Sequence, residues 1–373
     1  MGKLNVLYIC HDTQILGGAA LSLGNMIHSL KEDVHPIILF RENGPVHDYF
    51  FHKGYDCMII PFRPNKDITG NWIASYFKRW KYNQVNGKCI RKAVRELKDK
   101  NISIVHSNDS VVTIGIYIAK SLGAKHIWHL REVKDYIKPL TGEKRRQELL
   151  LKSDSVISIT NFIRKDWGME NVPNSVVISD AVRSKYDTAL IEEKQKYFVF
   201  CAADINPWKG PEMAINAFWL SGLSKSGYKL KMIGRIGGTY MQELKDLAKQ
   251  CDIDEAVEFT GKESDIKDVM SKAAGFLMCT KFEGLGRVTV EAMFYGCPVL
   301  ARNNSGGTME IVKNNETGLI FDDAADLSDK MQIVASGDML PIIHNAQQYA
   351  VGHFCEESFG EQMLKLYKNV LNQ

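Results

Sequence analysis

The chain has 373 residues, which points to two domains of ordinary size. Hydrophobic residues make up 45% and charged residues 24%, a balance that excludes a disordered, collagen-like or coiled-coil protein. The net charge of +3 hides a basic segment: between Arg63 and Lys100, eleven Lys or Arg stand against three acids, so this stretch carries +8 and the rest −5.

No run approaches the roughly 18 apolar residues of a spanning helix, so the sequence does not read as an integral membrane protein. The first residues hold one Lys and a short apolar run that ends in His11 and Asp12 without a small-residue cleavage site. That run reads as a first strand and not as a signal peptide. Residues 4–10 are almost continuously apolar, as a buried parallel strand requires. Gly17 and Gly18 follow, then a helical stretch with Leu21, Leu23, Met26, Ile27 and Leu30. Further strands are predicted at 36–40, 57–62, 102–106, 126–130 and 155–159, with helices between them such as 89–98 and 113–122. This alternation is that of a right-handed βαβ sheet with helices on both faces.

Within the basic segment, Trp72, Tyr76, Phe77, Trp80 and Tyr82 interleave with Lys78, Arg79 and Lys81. Cationic side chains beside amphipathic aromatics suit an anionic membrane surface, where each basic residue contributes about 1 kcal/mol. A solvated basic helix with its aromatics packed inward explains the pattern equally well. No motif of a nucleic-acid module accompanies the charge, which argues against nucleic acid as a partner. Residues 144–146, Lys-Arg-Arg, read as a solvated helix face.

The polar run 189–196 reads as a linker, after which the pattern restarts. Strands are predicted at 197–202, 230–233, 257–259, 276–279, 298–301 and 319–321, with a helix near 212–220. Residues 356–371 close the chain as a helix with Phe359, Met363, Leu364, Tyr367 and Val370 on one face. The predicted domains are 1–188 and 189–355, each the size of one doubly wound unit. The eight cysteines include no C-x-x-C pair and no zinc-knuckle spacing, so reduced, structural thiols are expected.

In doubly wound sheets ligands bind beyond the C-terminal strand ends, and the cleft between two such domains is the expected site. The most informative segment is 281–301. There a strand feeds a loop with Glu283, Gly284, Leu285 and Gly286, and the loop opens a helix that carries Glu291. The unpaired N–H groups at such a helix start suit a phosphate, and the two carboxylates suit a hydroxyl-rich ligand. Lys209, just beyond residues 197–202, can neutralise a phosphate. Gly17 and Gly18 lack the G-x-G-x-x-G spacing of a dinucleotide fingerprint. His129 and Arg131 alternate with Trp128 and Leu130 at the end of a strand, so both share one side.

These residues resemble the retaining GT-B glycosyltransferases of family four, the glycosyl transferases group 1. The resemblance is carried by Glu283-x7-Glu291 with Ala-Met-x-x-Gly-x-Pro-Val, by Ser305-Gly-Gly-x-x-Glu310-Ile-Val, and by Glu316-Thr-Gly-Leu. Lys209-Gly210, Gly17-Gly18 and residues 159–164 fit as well. The resemblance implies an α/β GT-B fold: two doubly wound Rossmann-like domains facing across a cleft, the second holding a nucleotide-sugar and the first an acceptor. It implies that the final helix, 356–373, packs back on the N-terminal domain. Carried over, Glu291 binds the ribose hydroxyls, and Glu283 with the backbone of Gly284, Leu285 and Gly286 binds the donor sugar. Lys209 and the amides of Arg287 and Val288 hold the diphosphate. Phe259, Gly261 and Lys262 carry the base, and Gly18 lets the first domain approach the phosphates. His129 and Arg131 stand where the family has an active-site histidine.

The implied reaction is metal-free, hexosyltransferase-type and retaining, with the leaving phosphate assisting deprotonation of the acceptor. No Asp-x-Asp metal site is present, and no cofactor is expected. Three departures bear on this. Asp204 replaces an arginine usual five residues before the lysine, which puts a carboxylate near the diphosphate and calls for a compensating cation, Arg235 or Arg287. Asp180-Ala181 replaces an Asn-Gly near the domain junction, and Arg131 replaces the histidine.

The reading is therefore a transferase building a cell-surface glycan on a lipid-linked or polysaccharide acceptor. Its expected place is the cytoplasm, peripheral on the inner face of the plasma membrane through 63–100. The alternative, motivated by Asp204 and Arg131, is a nucleotide-sugar-binding or partner subunit that has lost catalysis. A sugar-nucleotide epimerase fits the Lys209, Glu283 and Glu291 set less well, and an NAD dehydrogenase lacks its glycine loop.

Overall fold

Two separate parallel sheets organise the chain, one in each of two units: Met1–Ala181 with Glu356–Gln373, and Val182–Cys355. The computed structural model describes residues 2–14, 17–67, 71–190, 193–263 and 265–372. Residues 68–70 of the basic segment and 191–192 of the expected linker lie outside the described residues.

In the first unit the elements run β1 (Leu4–Cys10), α1 (Gly18–Ser29), β2 (Val34–Phe40), α2 (Pro45–His52), β3 (Asp56–Ile59), α3 (Trp72–Leu97), β4 (Ile104–Ser107), α4 (Ile114–Leu122), β5 (Lys125–Leu130), α5 (Glu143–Leu151), β6 (Ser155–Ser158), α6 (Asn161–Asp166) and β7 (Ser175–Val177). The strands lie in the order β3-β2-β1-β4-β5-β6-β7, all parallel, so the direction of winding reverses between β1 and β4. Val6, Leu7, Tyr8 and Ile9 are fully buried. This strand is covered on both faces, which is why its sequence shows no polar alternation.

The second unit runs β8 (Gln195–Ile205), α7 (Pro211–Ser221), β9 (Lys229–Ile236), α8 (Gly238–Gln250), β10 (Val257–Gly261), α9 (Ile266–Lys272), β11 (Ala273–Met278), α10 (Arg287–Phe294), β12 (Val299–Arg302), α11 (Thr308–Ile311), β13 (Leu319–Phe321), α12 (Ala324–Ser336) and α13 (Leu340–Phe354). Its sheet is β10-β9-β8-β11-β12-β13, again parallel, with the reversal between β8 and β11. The last helix, α14 (Glu356–Leu371), belongs to the first unit. Phe359, Met363, Tyr367 and Val370 bury its apolar face in that unit's core. Gly360 lets α14 lie close to α1, since a Cβ there would sit 2.8 Å from the Cβ of Ser29.

Four expectations need correction. The units divide at 181/182, not at 188/189, because residues 182–189 are bonded into the second unit. Val182 N–H donates to Phe354 O at 2.9 Å, Asp187 pairs with Lys267 at 2.6 Å, and Ala189 N–H donates to Phe294 O at 3.2 Å. Nor is 189–196 simply a linker. Lys194 donates to the carbonyls of Ser271 and Gly296, both at 2.7 Å, and β8 already begins at Gln195. Gln195 and Lys196 are polar because they extend β8 past the buried core.

Third, α3 is one helix of 26 residues and starts well before residue 89. The side chain of Asn71 caps it by accepting from Ile73 N–H at 3.0 Å and Ala74 N–H at 3.4 Å. Its buried stripe, Tyr82, Asn86, Cys89, Ala93 and Leu97, begins only at its eleventh residue. In the first half Trp72, Ile73, Tyr76, Phe77 and Trp80 are 50–79% exposed, so of the five aromatics only Tyr82 packs inward. Fourth, Arg146 is not on a solvated face. It is 1% exposed, lies over the Trp167 ring at 4.3 Å and donates to Ile137 O at 2.9 Å.

Candidate functional site

The candidate residues of the second unit collect at the C-terminal strand ends, on both sides of its β8/β11 reversal. Leaving β8, the turn Asn206-Pro207-Trp208-Lys209 is fixed by the Asn206 side chain, which accepts from Trp208 N–H at 3.1 Å. Gly210 follows at φ +73°, and a Cβ there would lie 2.7 Å from the carbonyl of Cys279. Only glycine therefore lets this turn rest on the end of β11. The result is an ion pair between Lys209 Nζ and Glu283 Oε2 at 2.7 Å, joining the segments after β8 and β11.

Glu283 is itself pinned by main-chain bonds, its N–H to Ser305 O at 3.1 Å and its O from Gly307 N–H at 2.8 Å. Beyond Gly284 and Leu285, Gly286 occupies the N-cap of α10 and brings no side-chain cap. The N–H groups that open α10, those of Arg287 and Val288 included, therefore form the positive end of a helix dipole. Glu291 lies one turn further along α10 and pairs with Arg183 at 3.1 Å. Arg183 in turn donates from Nε to the hydroxyl of Tyr295 at 2.5 Å. Asp204, near the end of β8, pairs with Arg235 of β9 at 2.9 Å. Phe259 and Gly261 end the edge strand β10, and exposed Lys262 follows them.

Each carboxylate at this edge thus has a cation: Glu283 has Lys209, Glu291 has Arg183 and Asp204 has Arg235. The arrangement matters chemically because these carboxylates, left unpaired, would oppose an anionic ligand at the start of α10. Arg287 extends Nη2 towards Val182 O at 3.5 Å. Arg183 is a residue that sequence reasoning missed, and no local motif marks it.

In the first unit, Gly17 and Gly18 open α1 without a side-chain cap. His129 and Arg131 are both buried, at 0% and 7% exposure. Arg131 meets Asp180 in a two-pronged pair, Nε to Oδ2 and Nη2 to Oδ1, both at 2.9 Å. Its Nη1 donates to the Asn108 carbonyl at 2.9 Å and to Oδ1 at 2.6 Å. Little of this guanidinium is left for a ligand. His129 shares a bond of 3.2 Å with His106, which bonds the Tyr367 hydroxyl of α14 at 2.9 Å. Tyr367 donates onward to Tyr8 at 3.2 Å. Burial holds His106 and His129 well below the ordinary histidine range, so both are neutral. His126, bonded to Ser107 and Ser153, is pushed down to about 3 by the same cause.

Among the described residues no group of three His, Cys, Asp or Glu is placed to hold a metal ion, and all eight cysteines are free. No helix among them is long and apolar enough to cross a membrane.

Residues 182–350, nearly the whole second unit, match the model of the family Glycosyl transferases group 1. An uncharacterized glycosyltransferase of Haemophilus influenzae is 22% identical over 86% of this chain and 92% of its own. A relative from Campylobacter jejuni is 24% identical over 95% of this chain and 96% of its own. It is named as an α-1,4-N-acetyl-D-galactosaminyltransferase acting on a diNAcBac-PP-undecaprenol glycan. Among solved structures, Anabaena Alr3699/HepE in complex with UDP superposes with a TM-score of 0.83. That match covers 98% of this chain and 100% of the other at 16% identity, and it establishes the fold: two Rossmann-like domains of the GT-B class.

Proposed function

We propose, from the premise that the second unit belongs to the group 1 glycosyltransferases, that the protein transfers a sugar from a nucleoside-diphosphate donor to a glycan or lipid-linked acceptor. The transfer retains the anomeric configuration and uses no metal ion. One observation carries the reading: Lys209 and Glu283 meet at 2.7 Å beside the uncapped start of α10. Departure of a nucleoside diphosphate builds negative charge on its terminal phosphate. A fixed ammonium and helix-end N–H groups stabilise that charge most where it develops. In this reading Lys209 exchanges Glu283 for the phosphates, Glu283 turns to the donor sugar's hydroxyls, and Glu291 takes the ribose. The base lies along Phe259–Lys262. Arg235 neutralises Asp204, which removes the main reason to regard the protein as a catalytically silent binder.

The test is thermal denaturation of the purified chain with UDP-, GDP-, ADP- and dTDP-sugars, with magnesium and with EDTA. A ligand at about 100 times its Kd adds roughly 2.7 kcal/mol of stability. The expected result is a shift with one nucleotide class, unchanged by EDTA and lost in Glu291→Ala. No shift with any nucleotide would contradict the reading.

The acceptor is proposed to be amphiphilic and met at an anionic membrane surface from the cytoplasmic side. The support is the first half of α3, where Trp72, Tyr76, Phe77 and Trp80 stand exposed beside Arg79 and Lys81. Such rings gain by entering the headgroup layer while the cations meet anionic lipid. Sedimentation with phosphatidylglycerol vesicles checks this. Charge reversal at Lys78, Arg79 and Lys81 is expected to lower bound protein at least fivefold, and equal binding by the variant would refute it.

A further inference from the structure

The sequence places Gly87 in the interior of α3, where a glycine weakens a helix relative to alanine. No tight approach requires it. Beyond the helix's own backbone, a Cβ at Gly87 would meet only Arg91 Nη1, at 3.7 Å. What the glycine leaves is space. It lines a cavity of about 370 Å³ within the first unit, between α3 and the N-terminal parts of α4 and α5. That volume lies in the range of ligand pockets, roughly 300–1,000 Å³.

The cavity has an apolar wall and a set of donors. Ile90, Ile114 and Leu149 supply the wall. Arg79 and Asn83 precede Gly87 by two turns and one turn, on the same face of α3. Arg79 is exposed and has no hydrogen bond or ion pair among the described residues. The Thr141 hydroxyl is buried and likewise unpartnered among them, while the Thr141 N–H donates to Asn65 Oδ1 at 3.0 Å. The start of α4 opens on the same cavity through Thr113 and Ile114. No side chain caps that helix, since the Thr113 hydroxyl is bonded to Tyr82 instead. Its first N–H groups are therefore left for an outside acceptor. Arg145 also lines the cavity, held by the Tyr117 hydroxyl at 2.7 Å and by Glu148 at 3.2 Å. Glu148 balances Arg145, so Arg79 carries the net charge, and no carboxylate is among the described lining residues.

We infer that this cavity binds the phosphate head of one anionic lipid, with the lipid's glycerol and first methylenes along the apolar wall. Arg79, the Thr141 hydroxyl and the start of α4 are donors without an acceptor, which an anionic phosphate supplies. A free phosphate would leave Ile90, Ile114 and Leu149 uncovered, and a neutral amphiphile would leave the donors unmatched. The lipid as the source rests on the membrane reading proposed above. Arg79 belongs to the exposed stretch of α3 that this reading sets against anionic headgroups. A seated head gives that contact one fixed point, where charge attraction alone is diffuse. The donor site of the second unit plays no part in it.

The experiment titrates the full chain by calorimetry with dihexanoyl-phosphatidylglycerol below its micelle concentration. Two comparison probes divide the ligand: 1-hexanoylglycerol keeps the chain and lacks the phosphate, and inorganic phosphate lacks the chain. Phosphatidylglycerol should bind about tenfold or more tighter than either, the worth of one hydrogen bond to a charged group. Gly87→Leu, which fills the cavity, and Arg79→Gln, which removes the unpaired cation, should each weaken it by about tenfold or more. Leucine favours a helix over glycine, so Gly87→Leu without lipid should melt no lower than wild type. Undiminished binding by Gly87→Leu or by Arg79→Gln would overturn the site. Inorganic phosphate bound as tightly would overturn the lipid, and 1-hexanoylglycerol bound as tightly would overturn the phosphate. Sedimentation with phosphatidylglycerol vesicles separates the two readings. A chain that sediments but binds no dihexanoyl lipid overturns the cavity assignment alone. One that binds the dihexanoyl lipid but never sediments overturns the membrane reading and, with it, the membrane as the lipid's source.

Discussion

Lys209→Met lowers kcat/KM for transfer by about 10²–10³-fold, the range found when a single group that stabilises transition-state charge is removed. The ammonium is the side-chain cation that bridges the segments after β8 and β11, and its removal has two consequences. The diphosphate loses its counter-charge, and Glu283 loses the partner it holds at 2.7 Å, leaving a carboxylate to repel the donor. Stability should barely change, because both side chains are 23–30% exposed and surface pairs contribute about 0–1 kcal/mol. The double variant Lys209→Met with Glu283→Gln separates the two consequences: it should recover nucleotide affinity by relieving the repulsion but not the rate. Initial rates and nucleotide titrations of the three proteins decide this. A single variant within threefold of wild type would remove Lys209 from the mechanism.

Arg131→Met has the opposite profile, a large loss of stability at a residue with little contact left to offer a ligand. The guanidinium fills a site beside Asp180 and Asn108 and is 7% exposed. Its removal leaves the Asp180 carboxylate buried without its partner, a change that costs about 3–5 kcal/mol. In a unit of about 200 residues that lowers the melting temperature by roughly 6–20 °C. Adding Asp180→Asn should return part of the loss, since the stranded charge is gone. A single variant that melts within 2 °C of wild type would show that the pair contributes nothing. The buried histidines sharpen the same measurement. His106, His126 and His129 are neutral when folded and protonate near 6.5 when unfolded, so the unfolded chain binds more protons at acid pH. Stability of the first unit is therefore full above pH 7 and falls below 6.5, by up to about 1.4 kcal/mol per pH unit for each group.

The sequence made the alternation of buried strands legible because a parallel strand covered on both faces, such as Val6–Ile9, writes itself as an apolar run. The segment around Glu283 and Glu291 was legible for a related reason: loop, glycines, helix start and both carboxylates lie within a few residues of one another. Asp204, for which the resemblance called for a compensating Arg235 or Arg287, pairs with Arg235. What could not be read were partnerships across long stretches of chain. Arg183 and Glu291, His11 and Asp109, and Tyr367 and His106 meet only because the sheets fold, and no spacing announces them. Arg146 resembled its charged neighbours until Trp167 was seen beneath it. The start of α3 escaped for another reason: its first ten residues include no buried side chain, so they lack the periodicity that marks a helix packed on a core.

The central claim is that the carboxylate-paired cations of the second unit hold a nucleoside-diphosphate sugar for metal-free transfer. The most direct test is to incubate the chain with the sugar nucleotide that stabilises it and an octyl glycoside, in EDTA, and follow product by NMR. The account predicts release of nucleoside diphosphate and a new glycoside with the donor's anomeric configuration. A product of inverted configuration, or turnover that appears only when a divalent metal is restored, would contradict it.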